Sequence, residues 1–266
     1  MTTIADITAE LDRRYPPEWA ADWDRVGLVC GRPQWRVERV LFAVDCVPEI
    51  VAEAIRVGAT LIVTHHPLLL RGVSSVAPTT YKGDIVHTLI EAGIGLYVAH
   101  TNADVASPGV SDALATALGV TGLRPLDPID DGPRGIGRVG TLSRPLTLSD
   151  FAAAVADALP ATTWGVRAAG DPERIIRTVA VSGGAGDGYL GHARAAGVDA
   201  FVTSDLRHHV VSEHLASGGP ALIDVAHWAG EWPWLELVAS DVAARFGVDT
   251  VVSDVNTDPW TIHASS

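Results

Sequence analysis

Short apolar runs alternate with longer amphipathic stretches along most of this chain. Residues 40–45 (VLFAVD), 60–64 (TLIVT) and 95–99 (GLYVA) are uncharged or nearly so, and the second is rich in β-branched residues. Runs of that length and composition predict strands buried on both faces. Between them the apolar positions recur at helical spacing. Residues 47–57 place Ile50, Val51, Ala54 and Ile55 on one face. Further helices are predicted over 4–15, with Thr8 as a cap, and over 83–92 and 110–118. Strand–helix alternation of this kind predicts a largely parallel sheet with right-handed crossovers.

The pattern breaks at residues 121–138 (TGLRPLDPIDDGPRGIGR), a Gly-, Pro- and Asp-rich stretch that reads as a connection between domains. A second α/β unit follows. It has strands at 137–142, 162–168, 175–181 and 199–203 and helices at 149–158, 187–196 and 206–216, and it runs on to strand 221–225, whose metal-like segment returns the C-terminal part to the first domain. A helix over about 231–246 and a strand near 248–252 close the chain. The expected division is 1–125 plus 219–266 for the first domain and 126–218 for the second. No repeat of solenoid period is present in the sequence.

Candidate chemistry gathers at strand ends. His65 and His66 follow strand 60–64, and Pro67 stops it because proline cannot donate to a ladder. Neighbouring side chains on an extended backbone point to opposite faces. Two adjacent imidazoles therefore serve one site only if the backbone bends between them, or if two metal ions receive them. The second strand end carries His100, Asn102 and Asp104, and the third carries His227 and Glu231. Any one of these segments is as easily a solvated loop. Three together predict a metal site, since open α/β sheets collect sites outside the carboxyl ends of their strands. Imidazole with carboxylate suits Zn, Fe, Mn or Ni rather than Ca or a thiolate zinc site. Pro233 fits the first turn of a helix, so that helix is expected to start near Gly230. This leaves His227 in a loop and Glu231 at the positive end of the helix.

Composition narrows the classes. Net charge is −13, from 19 basic and 32 acidic residues, which argues against a nucleic-acid surface. Lys82 is the one lysine, and its surroundings do not predict Schiff-base chemistry. Cys30 and Cys46 form no CxxC pair, so a reduced, cytoplasmic protein is expected. The N-terminal segment has no signal-peptide pattern, and no run approaches the roughly 20 apolar residues of a membrane span.

Two other patterns compete for attention. Gly186, Gly188 and Gly191 fit GxGxxG, with Asp205 beyond them, but the glycine run opens earlier, at Ser182-Gly183-Gly184. A tight strand-to-helix turn is the simpler reading of Ser182–Gly186, with a phosphate cradle as the alternative. In DLRHHVVSEH (205–214), His209 and Glu213 share a helical face, which reads as a solvated surface.

Taken in order, WDRVGL (23–28), AVDCVPEIVAEA (43–54), THHPLLL, AHTNAD, VSGGAG and DVAHWAGE resemble the GTP cyclohydrolase I type 2 family, also called NIF-three-like dinuclear metal proteins. The resemblance spans nearly the whole chain. Arg25 stands where members usually have Asn, and Ser204-Asp205 replaces the end of the usual TGE. Longer members carry an inserted domain for which this length leaves no room. The resemblance implies two α/β domains with mixed, largely parallel sheets and a metal site in the cleft, in a ring-shaped homohexamer. It implies two divalent ions on His65, His66, Asp104, His227 and Glu231, with Asp45 and His100 orienting ligands or shuttling protons. The function it implies is metal-dependent hydrolysis of a small, nucleotide-like substrate. A non-catalytic metal-binding or regulatory scaffold, acting through partners, is the other class.

Overall fold

A computed structural model describes residues 1–264 and divides the chain into two compact units. The strands are β1 (Gly27–Cys30), β2 (Arg39–Ala43), β3 (Leu61–Thr64), β4 (Gly95–Val98), β5 (Val120–Pro128) and β6 (Gly135–Thr147). They continue as β7 (Val166–Ala169), β8 (Ile175–Ala185), β9 (Ala200–Ser204), β10 (Ala221–Val225) and β11 (Asp249–Val252). Met1–Ala103 and Leu235–Thr257 form the first unit. Asp104–Trp234 and the segment from Asp258 form the second. The division therefore falls earlier than the Gly/Pro-rich stretch suggested. Residues 121–138 contribute instead to the antiparallel pair β5–β6.

The first unit carries a five-stranded sheet in the order β1-β4-β3-β2-β11. β11, β2, β3 and β4 are parallel, and β1 closes the edge antiparallel. All four residues of β3 and of β4 are buried, as expected of strands covered on both faces. Helix Pro48–Val57 lays Ile50, Val51 and Ala54 into a core with Leu41, Ile62, Leu89 and Leu96. Pro48 opens that helix, and Gly58, left-handed at φ 69°, ends it. The first helix, Ile4–Arg14, is capped at Thr3, not Thr8: Thr3 Oγ1 accepts from Asp6 N–H while Asp6 accepts from Thr3 N–H.

The second unit has a mixed six-stranded sheet, β5-β6-β8-β9-β10-β7, in which β8, β9 and β10 pair in parallel and the other neighbours pair antiparallel. Its core joins Ala180, Phe201 and Leu222 from those strands to Leu190, Ala193 and Val198. Strand 221–225, expected in the first domain, is held here between β9 and β7. Among the described residues no helix is long and apolar enough to cross a membrane.

Candidate metal centre

In the first unit the parallel strands β2, β3 and β4 are neighbours, so their carboxyl ends deliver side chains to one edge of the sheet. Asp45 follows β2, His65 and His66 follow β3, and His100 follows β4. The backbone bends at the two histidines. His65 N–H donates to the Ala43 carbonyl (3.3 Å) and His66 N–H to that of Val44 (2.8 Å). The Thr64 hydroxyl donates to the His66 carbonyl at 3.1 Å. Both imidazoles end on the same side as a result, their ring centroids 5.1 Å apart. The His100 ring lies 5.1 Å from that of His65 and 5.5 Å from that of His66. The three offer ring nitrogens within 4.8 Å of one another, a group that can hold a metal ion.

Each of these rings is pinned through Nδ1. His65 pairs with the Ala99 carbonyl at 2.9 Å, His66 with Asp45 at 2.8 Å and His100 with Asp24 at 2.8 Å. A carbonyl or carboxylate can only accept, so Nδ1 carries the proton and the lone pair is placed on Nε2. Asp24 is itself tightly held, with Thr101 donating to it through its N–H (3.0 Å) and its hydroxyl. Burial pushes the Asp24 carboxyl up, but hydrogen bonds from His100 and Thr101 outweigh it and hold the group well below the usual carboxylate range. Asp45 also accepts from the Thr257 hydroxyl. Asn102, fully buried, accepts from His100 N–H at 2.9 Å and donates to the Tyr15 carbonyl at 2.7 Å, fixing the turn after β4.

In the second unit His227 and Glu231 occupy successive turns of a helix, His227–Glu231, that begins at His227 and not at Gly230. Ala226 is its N-cap, and Trp232 stays right-handed helical before Pro233 opens the next helix, Pro233–Phe246. Proline removes only its own N–H, so the chain reaches it already coiled. Glu231 therefore sits at the end of the first helix, not at its positive end. The i,i+4 spacing puts Glu231 Oε1 3.0 Å from His227 Nε2. On the other side of the ring, Nδ1 meets Asp205 Oδ2 at 2.7 Å. The Glu231 charge, opposed by burial and helped by the Asp205 hydrogen bond, pushes the His227 imidazolium up to about 11. A cation at Nε2 would take that proton's place. Asp104 is half-buried in the short helix Thr101–Val105.

Asp24 is a residue that the sequence reading missed, and Asp205, noted there as a departure from the family's TGE, is the carboxylate behind His227. Asp205 directly follows β9, so the strand-end rule applied to a fourth strand selects it. It is left-handed at φ 59°, a conformation Asp tolerates better than most residues. The tri-histidine segment divides otherwise: His208 and His209 are exposed, and His214 is buried against the Pro220 carbonyl at 3.2 Å. Cys30 and Cys46 are free thiols, pushed by burial to about 11 and about 12.

Residues 2–259 match the model of the Duf34/NIF3 (NGG1p interacting factor 3) family. The chain belongs to that family. A Streptomyces coelicolor protein named GTP cyclohydrolase 1 type 2 homolog is 56% identical, with 100% of this chain and 96% of that protein covered. A crystal structure of the Staphylococcus aureus hypothetical protein SA1388 matches at TM-score 0.89 and 30% identity, covering 98% of this chain and 99% of that one. A Bacillus cereus protein related to NIF3 shares the fold at TM-score 0.90 and 24% identity, with 98% and 99% covered. Two mixed α/β sheets are thus the architecture of this Duf34/NIF3 member. Its histidine and carboxylate groups are donors that fit divalent transition ions.

Proposed function

We propose that this chain is a hydrolase that uses two divalent metal ions, Zn, Fe, Mn or Ni, on a small, nucleotide-like substrate. His65, His66, Asp104, His227 and Glu231 would hold the ions. The observation that carries this reading is the Nδ1 pairing of His65, His66 and His227, which leaves Nε2 as the ligand nitrogen, with a lone pair on His65 and His66 and with a proton that a cation would displace on His227. Histidines that serve packing alone have no need of a carboxylate behind the ring, such as Asp45 behind His66 and Asp205 behind His227. When bound, paired ions polarise the substrate and stabilise negative charge that develops in hydrolysis.

The chain's own groups hold the donors still. Asp45 and Asp205 set the tautomers of His66 and His227, and the Ala99 carbonyl sets that of His65. Asp104 and Glu231 supply the negative charge that a dication needs in a half-buried site. His100, backed by Asp24 at Nδ1, turns Nε2 toward this edge. The relatives' name, GTP cyclohydrolase 1 type 2 homolog, supports purine nucleotides as the first substrates to try.

The test is elemental analysis of the purified protein, followed by a substrate panel with and without chelator. About two ions per chain and turnover that tracks metal content are expected. A metal-replete protein with no turnover on the panel counts against hydrolysis, and a protein that retains no transition metal overturns the reading.

A further inference from the structure

The glycine run at the end of β8 has no part in the function so far. It does not form a loop before a helix. The strand continues through Ala185, and Gly183 and Gly184 lie inside it, against the His227–Glu231 helix. A Cβ on Gly184 would stand 2.6 Å from Glu231 Oε1 and 3.3 Å from His227 Nε2. A Cβ on Gly183 would stand 3.7 Å from Glu231 Cγ and 2.6 Å from Val110 Cγ1. Gly184 also has φ +68°, where other residues are strained. The strand is not free to retreat. The Gly184 carbonyl accepts from the buried Thr203 hydroxyl at 3.0 Å, and a Cβ on Gly186 would meet that same oxygen at 2.0 Å. By contrast, Gly188 and Gly191, which complete the dinucleotide-like spacing, have open space around them.

From this geometry we infer that Gly184 is a positioning residue: its missing side chain reserves the space in which the Glu231 carboxylate meets His227, and Thr203 holds the backbone there. The inference rests on the proposed role of His227 and Glu231 as metal ligands. It turns the SGGAG segment from a candidate phosphate cradle into one wall of a metal-ligand pair. An added methyl must push the carboxylate or the imidazole, because Thr203 holds the strand that carries it.

Two measurements test it. The first is Zn2+ affinity by competition with a chelating dye, for wild type, Gly184→Ala and Gly188→Ala. Gly184→Ala is expected to weaken Zn2+ binding at least tenfold, while Gly188→Ala stays within twofold of wild type. If wild type binds no Zn2+, the metal reading itself fails. If wild type binds and Gly184→Ala binds equally well, the positioning role fails alone. The second uses metal-free protein in chelator and needs no ligand. Gly184→Ala is expected to lower the melting temperature more in the wild-type background than in a Glu231→Ala background, where the clashing carboxylate is gone. Backbone strain alone predicts equal losses in both backgrounds, and that result would overturn the inference. If Gly184→Ala does not fold, folding of the Gly184→Ala/Glu231→Ala double variant supports the steric clash, and its failure to fold refutes it.

Discussion

Removing the carboxylate behind His66 should weaken metal binding without unfolding the protein. Asp45 Oδ1 lies 2.8 Å from His66 Nδ1. Its other oxygen is held by Thr257, and about a quarter of the side chain is exposed. In Asp45→Asn the amide can turn its oxygen to His66 and its NH2 to the Thr257 hydroxyl. The tautomer then survives, and only the charge assistance is lost. A charged acceptor is roughly twice as strong as a neutral one, so about 1 kcal/mol of support disappears, or roughly a fivefold loss of affinity. Asp45→Ala removes the acceptor altogether. His66 can then carry its proton on either nitrogen, and a loss of roughly 10–100-fold is expected, about 1.4–2.8 kcal/mol. Stability should change little, because water reaches this side chain. Zn2+ titration of wild type and both variants, with urea unfolding in chelator as the control, gives the comparison. Asp45→Ala binding within twofold of wild type would refute the reasoning, as would an Asn variant weaker than the Ala variant.

Glu231→Ala should lose bound metal and any hydrolytic activity, whereas His209→Ala, on an exposed helix face, keeps both and shifts stability by no more than about 0.5 kcal/mol; equal metal content in matched, folded preparations would reverse the site assignment. Asp24→Ala should destabilise the first unit by about 3–5 kcal/mol, because His100 and Thr101 lose a buried charged acceptor. Its folded pKa is depressed, so this contribution is present above the unfolded value near pH 4 and fades as pH falls toward the folded one. Urea unfolding of wild type and variant at pH 7 and at pH 3 should show the gap narrowing in acid, and a constant gap disproves the assignment. We propose, on the family resemblance alone, that the chain assembles as a homohexamer; light scattering at micromolar concentration checks this, and a stable monomer would refute it.

Much of this was legible in the chain. β3 and β4 are buried at every position and almost wholly apolar, Thr64 being the exception, and that leaves no ambiguity of period. His65, His66, His100 and His227 stand out because polar residues at the ends of such strands have few other reasons to be there. Three features were hidden for physical reasons. The Gly/Pro-rich stretch 121–138 looked like a linker, but glycines at 135 and 137 with positive φ shape a twisted antiparallel pair instead. Pro233 suggested a helix start, and local rules cannot tell a first turn from a break inside a coil that is already formed. Asp24 lies 76 residues before the histidine it holds, a contact that only tertiary structure reveals.

The edge formed by β2, β3 and β4 has one more consequence. Its donors are anchored by strands from the unit's own core, so their ordering entropy is spent when the sheet forms, not when a ligand arrives. Small zinc domains work the other way, and chelation unfolds them. Here an ion would meet rings already aimed. Uptake should be quick and leave amide exchange in β3 and β4 nearly unchanged, so that one fold can give up one metal and accept another according to supply.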